Sequence, residues 1–183
     1  MAIPNKTISN SKTGQSIRFI QTAKDTGGAL LEMESTFGAM SKEPPLHYHP
    51  YQEEDFTVLS GELTVKIDGQ VKTLQQGDIL HVSRNTVHAM WNRSEDATLV
   101  NWKVRPAMNS ENLFETFTGL ANDHKTDENG VPGILQLALT VNAFSRVFRL
   151  AKPPYLVQKI IFGILAPFAL LLGYKSVYKK YLD

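Results

Sequence analysis

The chain has 183 residues, of which 42% are hydrophobic and 20% charged, enough to build one packed core and too ordered a composition for wholesale disorder. It contains no cysteine, which excludes disulfides, thiolate nucleophiles and Cys-ligated zinc. The formal net charge of +1 gives no global electrostatic case for nucleic acid, but it conceals an asymmetry: residues 1–130 carry 12 Lys+Arg against 17 Asp+Glu, whereas residues 131–183 carry 7 Lys+Arg and a single acid, Asp183.

The N-terminus MAIPNKTISNSKTGQ is polar and shows no apolar core of a secretory signal, so a cytoplasmic location is the default expectation. From Ser16 to Arg105 the chain alternates short apolar runs with turn residues: SIRFIQTA, ALLEMESTF, EDFTVLS, ELTVKID, QVKTLQ, DILHV, VHAMWN and ATLVNWKVR. Asp68-Gly69 between two of these runs signals a hairpin. Gly27-Gly28 and Gln76-Gly77-Asp78 mark further turns. Eight short strands at this spacing point to a sandwich or small barrel.

Beyond residue 107 the character changes. Asn109 or Ser110 can cap a short helix carrying Leu113, Phe114 and Phe117 on one side, and NDHKTDENG reads as an exposed loop. Helical spacing returns over 133–150 through Leu135, Leu139, Phe144, Val147 and Leu150. After Pro153-Pro154, residues 155–181 read as one kinked helix or two short ones around Pro167. The expected organisation is a β domain over 1–108 and a helical extension over 109–183 that packs on it or on a dimer partner.

The chemistry concentrates at His47 and His49. Two histidines at i and i+2 of a strand project to the same side, and neutral imidazole is a common ligand for divalent transition metals. Glu53 and Glu54 follow. Strand alternation separates them: Glu54, Phe56 and Val58 share an apolar face that should turn inward, while Glu53, Asp55 and Thr57 share the other. The same test places His88 with Met90, opposite Ala89 and Trp91. Tyr48 should point away from the two histidines that flank it. His81 reads as an ordinary strand residue, His124 as solvated, and Arg105 as a surface residue.

The segments H47-Y-H49-P-Y-Q-E-E54-D-F-T-V-L-S-G61 and G77-D-I-L-H-V-S83-R-N85-T-V-H88-A-M-W-N92 together resemble the two motifs of the cupin family. Glu54 stands seven before Gly61, and His88 stands eleven after Gly77 and four before Asn92, with fifteen residues between the two glycines. Two features depart from the family pattern. Ser41 stands where a glycine is usual, and Ser83-Arg84-Asn85 replaces a Pro-x-Gly turn, although Asn tolerates the positive φ such a turn requires. The resemblance covers about residues 30–105. It implies a mainly β cupin (double-stranded β-helix, jelly-roll) barrel, followed here by C-terminal α-helices.

It also implies one divalent transition metal ion (Fe, Mn, Ni, Cu, Co or Zn) held by His47, His49, Glu54 and His88. Phe56, Val58, Met90, Trp102 and Met33 are the expected pocket lining, and a small molecule the expected ligand. The family includes dioxygenases, decarboxylases, isomerases and binding proteins. The leading expectation is a metal-dependent oxygenase acting on a small chelating organic molecule. The alternatives are a non-enzymatic binding or sensing metallo-cupin and a metal-dependent isomerase. A homodimer is expected, because sheet edges and an apolar tail both need cover.

The tail itself contains fifteen uncharged residues, Ile160 to Tyr174. At about 1.5 Å each they reach about 22 Å, short of the roughly 30 Å of a bilayer core, so a span is not expected. Two readings of residues 155–181 stay open: a cover for the barrel or a dimer, which is the expected one, and an interfacial helix in contact with a membrane surface.

Overall fold

The computed structural model describes residues 2–182, so Met1 and Asp183 lie outside the described residues. The strands are Thr7–Ser9 (β1), Ser16–Gln21 (β2), Leu31–Phe37 (β3), His47–Tyr48 (β4), Glu53–Ser60 (β5), Leu63–Ile67 (β6), Gln70–Leu74 (β7), Ile79–Val82 (β8), His88–Trp91 (β9), Thr98–Arg105 (β10) and Arg149–Leu150 (β11). The helices are Ser110–Asn122 (α1), Ile134–Ala143 (α2) and Tyr155–Leu171 (α3), with a 3-10 turn at Lys179–Tyr181. All eight runs read from the sequence are strands, β2, β3 and β5 to β10.

The strands form two antiparallel sheets, ordered β1-β2-β3-β10-β5-β8 and β11-β4-β9-β6-β7. One apolar cluster draws on both: Phe37, Phe56, Val58, Val82 and Val100 come from the six-stranded sheet, and Leu63, Val65 and Met90 from the five-stranded one. The sheets therefore pack face to face as a jelly roll, without closing into one hydrogen-bonded cylinder. A second cluster, with Ile17, Phe19, Leu31, Met33 and Val104, continues along the six-stranded sheet, and Phe114 of α1 packs on it. Trp102 borders both clusters.

Alternation decides which side chains enter. Along β5, Glu54, Phe56 and Val58 are buried, while Glu53, Asp55 and Thr57 are half-exposed. On β9 both faces are covered, and all four residues are buried. The turns follow local backbone chemistry. Asp68 and Gly69 both adopt positive φ, 45° and 86°, and join β6 to β7 with Ile67 opposite Gln70. Asn85 takes φ 63°, so the Ser83-Arg84-Asn85 turn forms without glycine.

The helical region departs from the sequence reading in one respect. Helix α2 ends at Ala143 rather than running on toward Leu150. Phe144 and Val147 are still buried, but they lie in a turn that feeds β11. The Val147-Phe148-Arg149-Leu150 run is aromatic and β-branched, and it finds an open backbone edge at β4, where Arg149 pairs with Tyr48 and Leu150 with His47. Helix α3 is one helix with Pro167 inside it. No helix among the described residues is long and apolar enough to cross a membrane.

Gly61 tests how tightly the β5–β6 turn is built. It has φ +77°, and a Cβ there would sit 3.0 Å from both the Ala97 carbonyl oxygen and Thr98 Oγ1. Gly69 has φ +86° with open space around it. In denaturant unfolding, Gly61→Ala should cost about 2–3 kcal/mol and Gly69→Ala about 1 kcal/mol.

Candidate metal centre

The site spans the gap between the two sheets. His47 lies on β4, between the rigid Pro44-Pro45 and Pro50, which keep the strand short. Its register partner is His88 on β9, so the two rings stand side by side with centroids 4.4 Å apart. His49 follows just past β4, its ring 5.2 Å from each of the other two. Glu54 enters from β5 of the opposite sheet. Its Oε2 lies 3.2 Å from His49 Nε2 and 3.0 Å from His88 Nε2. Its Oε1 accepts a 3.0 Å hydrogen bond from Trp102 Nε1.

The outer nitrogen of each ring is engaged by backbone. His47 Nδ1 pairs with the Pro45 carbonyl at 3.1 Å, and His88 Nδ1 with the Thr86 carbonyl at 2.9 Å. His49 Nδ1 pairs with the Val147 carbonyl. A carbonyl only accepts, so each Nδ1 carries a proton and each ring turns its Nε2 inward. Backbone partners of this kind orient metal-binding histidines.

Electrostatics agrees with this arrangement. Burial, reinforced by His88 and His49, holds His47 well below the usual histidine value, so the ring is neutral. For Glu54, burial alone would raise the carboxyl. The imidazoles of His49 and His88 outweigh it and hold the group well below the usual carboxylate range. Burial likewise depresses His49, but Glu54 beside it prevails and raises it.

The three histidines present ligand atoms within 4.8 Å of one another. His49 Nε2 and Glu54 Oε2 are fully buried and lack an aligned hydrogen-bond partner. Ring nitrogens and a carboxylate oxygen this close in a buried space need a cation between them, either a proton on an imidazole Nε2 or a metal ion in its place. This donor set of nitrogen and oxygen suits a divalent metal ion.

A cavity of about 820 Å³ opens beside the imidazoles. That volume suits a drug-sized organic molecule. Phe56, Met90 and Trp102 line it, as do Phe37, Leu113, Phe114, Phe117 and Phe148. Val58 and Met33 instead lie in the two apolar clusters. His81 is remote, with Nδ1 2.8 Å from Asp55 Oδ1, and Arg105 pairs with the same carboxylate on the surface. His124 is exposed.

The sequence reading did not anticipate the strap formed by Val147 to Ala151. Phe148 stacks on His47 at 4.8 Å with an interplanar angle of 28°. The Ala151 N–H donates to the Leu46 carbonyl at 2.8 Å. Helical periodicity masked this segment; its β-branched and aromatic content was the available signal.

Asn92 and Ser41 have structural work. The Asn92 side-chain amide donates to the Asp96 carbonyl at 2.7 Å and the Gly38 carbonyl at 3.2 Å, and the Asn92 N–H donates to Ser41 Oγ at 2.8 Å. Ser41 thus serves the loop in place of the family's glycine.

Removing the indole N–H that Glu54 accepts leaves a buried carboxylate oxygen with one partner fewer. Trp102→Phe, which retains the ring packing, should lower the unfolding free energy by about 1–3 kcal/mol in denaturant titration.

Comparison with known proteins agrees with this geometry. Residues 35–102 match the model of the cupin domain. The chain is 39% identical to quercetin 2,3-dioxygenase of Bacillus subtilis (strain 168) over 72 residues, covering 39% of this chain and 21% of that protein. It is 28% identical over 98 residues to the tetracenomycin polyketide synthase protein TcmJ of Streptomyces glaucescens, covering 52% of this chain and 64% of that one. It thus spans less than two thirds of either relative. Among solved structures, a predicted oxalate decarboxylase from Thermotoga maritima superposes with a TM-score of 0.50 at 17% identity, over 57% of this chain and 93% of that chain. At that identity the likeness concerns the fold alone. Residues 35–102 thus form a cupin domain, and a helical C-terminal extension follows it.

Proposed function

We propose that the protein is a metal-dependent oxygenase that acts on a small, largely apolar organic molecule with adjacent oxygen atoms, and that His47, His49, Glu54 and His88 hold one divalent ion. The observation that carries this reading is the cluster of three imidazoles with ligand atoms within 4.8 Å of one another, with Glu54 Oε2 3.2 Å from His49 Nε2 and 3.0 Å from His88 Nε2, beside an aromatic cavity. The 39% identity to a protein named quercetin 2,3-dioxygenase supports the choice of reaction class.

A bound divalent ion would supply Lewis acidity and, for a redox-active metal, a route for electrons to dioxygen. The chain's own contribution is positioning. The backbone carbonyls of Pro45, Thr86 and Val147 fix the three rings. Trp102 occupies Glu54 Oε1 and leaves Oε2 directed at the imidazoles. Phe56, Trp102, Phe114, Phe117 and Phe148 offer flat apolar surfaces that exclude water and stack a planar ligand.

A non-enzymatic metallo-cupin is the second reading. Much of the cavity lining is aromatic and aliphatic, and beyond the histidines its ionisable groups are Glu43 and Lys152, a lining that suits holding an apolar ligand as well as transforming it.

Elemental analysis of purified protein should find close to one divalent ion per chain, and the His49→Ala/His88→Ala double variant should lose most of it. Metal retained by that variant would contradict the ligand assignment. Oxygen-electrode assays with catechols, flavonols and β-diketones, run with each metal in turn, should show uptake with at least one compound. Glu54→Ala should abolish that uptake. Ligand binding without oxygen uptake under every metal would favour the binding-protein reading instead.

A further inference from the structure

Among the described residues, nothing covers the outer surface of α3. Gln158, Phe162 and Ala169 are its buried residues, and they fall on one stripe that packs against α2 together with Leu165. At about 100° per residue, the opposite arc covers roughly 200° of the helix. It carries Leu156, Ile160, Ile164, Phe168 and Leu171, all more than half exposed. Seventeen residues make this apolar surface about 25 Å long. The only charge within the helix is Lys159, near the edge of the arc.

The helix is held in this orientation from both ends. Buried Gln158 donates through Nε2 to the carbonyls of Leu150 at 2.7 Å and Pro153 at 2.6 Å. After the helix, buried Gln136 donates to the Lys175 carbonyl at 2.8 Å and accepts from the Tyr178 hydroxyl at 2.8 Å. Turning the apolar arc inward would break these bonds.

Two features select the partner. Among the described residues, the exposed charges that flank α3 in the sequence are cations: Lys152 before it, and Lys175, Lys179 and Lys180 after it, the last paired with Asp123 of the loop after α1. Pairing α3 with α3 of a second copy would bring like charges within about a Debye length of 8 Å in either orientation. A single partner helix would also leave much of so broad an arc in water, because a helix-packing stripe spans little more than about 100°. An anionic bilayer surface meets both demands, since its acyl region can surround the whole arc and its headgroups attract the lysines. The helix does not qualify as a membrane span, so it would lie in the interface rather than across it.

We propose that α3 is an interfacial helix that seats the protein on an anionic membrane surface, with the apolar arc in the acyl boundary and Lys152, Lys175 and Lys179 at the headgroups. This does not depend on the metal or the reaction.

Flotation of the full chain with phosphatidylserine-containing vesicles tests it. The protein should rise with these vesicles and bind pure phosphatidylcholine vesicles about tenfold or more weakly. Ile164→Glu/Phe168→Glu changes only exposed positions, so it should keep its circular dichroism spectrum and metal content while losing vesicle binding. Lys152→Glu/Lys175→Glu/Lys179→Glu, with the apolar arc intact, should lose the preference for anionic lipid. Failure of the full chain to float would overturn the proposal. So would undiminished binding of the double glutamate variant. A concentration-dependent dimer that floats with neither lipid, and that the same variant converts to monomer, would assign the arc to a second copy of the chain.

Discussion

A carboxylate buried between two sheets is the constraint around which this structure is arranged. Glu54 is almost wholly enclosed. An ionised group in such a place is tolerable only when opposite charge and hydrogen-bond donors surround it. The six-stranded sheet supplies Trp102, which satisfies one oxygen. The five-stranded sheet brings His49 and His88 against the other. The two sheets must therefore hold their spacing and register to within a hydrogen-bond length, and the apolar cluster shared between them fixes both. The candidate metal centre and the core are in this sense one packing problem.

Much of this was legible in the sequence because strand alternation is a strict rule. A period of two leaves Glu54 no choice once Phe56 and Val58 are buried, and it separates Glu54 from Glu53 without further information. The hairpin at Asp68-Gly69 and the positive φ of Asn85 were likewise local properties of those residues. What stayed hidden depended on contacts between distant segments. Nothing near Val147 shows that its carbonyl meets His49, and nothing near Phe148 shows that its ring lies on His47. The periodicity of 133–150 pointed to a helix because apolar spacing alone cannot tell a helical stripe from a buried turn entering a two-residue strand. The open edge of β4 decided the matter. Met33, expected in the lining, shares its strand face with Phe37 but sits further along the sheet, where the helical region covers it.

The C-terminal extension therefore plays two unlike parts within a few residues. Val147 to Ala151 behaves as interior: it adds a strand, stacks a ring on His47 and lends a carbonyl to His49. From Tyr155 onward the apolar residues mostly face outward. Gln158 joins the parts, because its amide grips the backbone at the end of the strap from beneath α3. A force on α3 would reach β11 through the bond to the Leu150 carbonyl, and β11 pairs with the strand that carries His47.

The reach of the His49 bond has a consequence for how the protein is made. Val147 lies 98 residues downstream of His49. At roughly 5–20 residues per second, a nascent chain holds all three imidazoles and Glu54 for about 3–12 s before the carbonyl that orients one of them has been synthesised. During that interval His49 can present either ring nitrogen inward. A metal held in the finished geometry would thus be captured only after the extension has docked, and a ribosome that stalled before Val147 would release a chain with all four candidate ligands and an unfinished cradle.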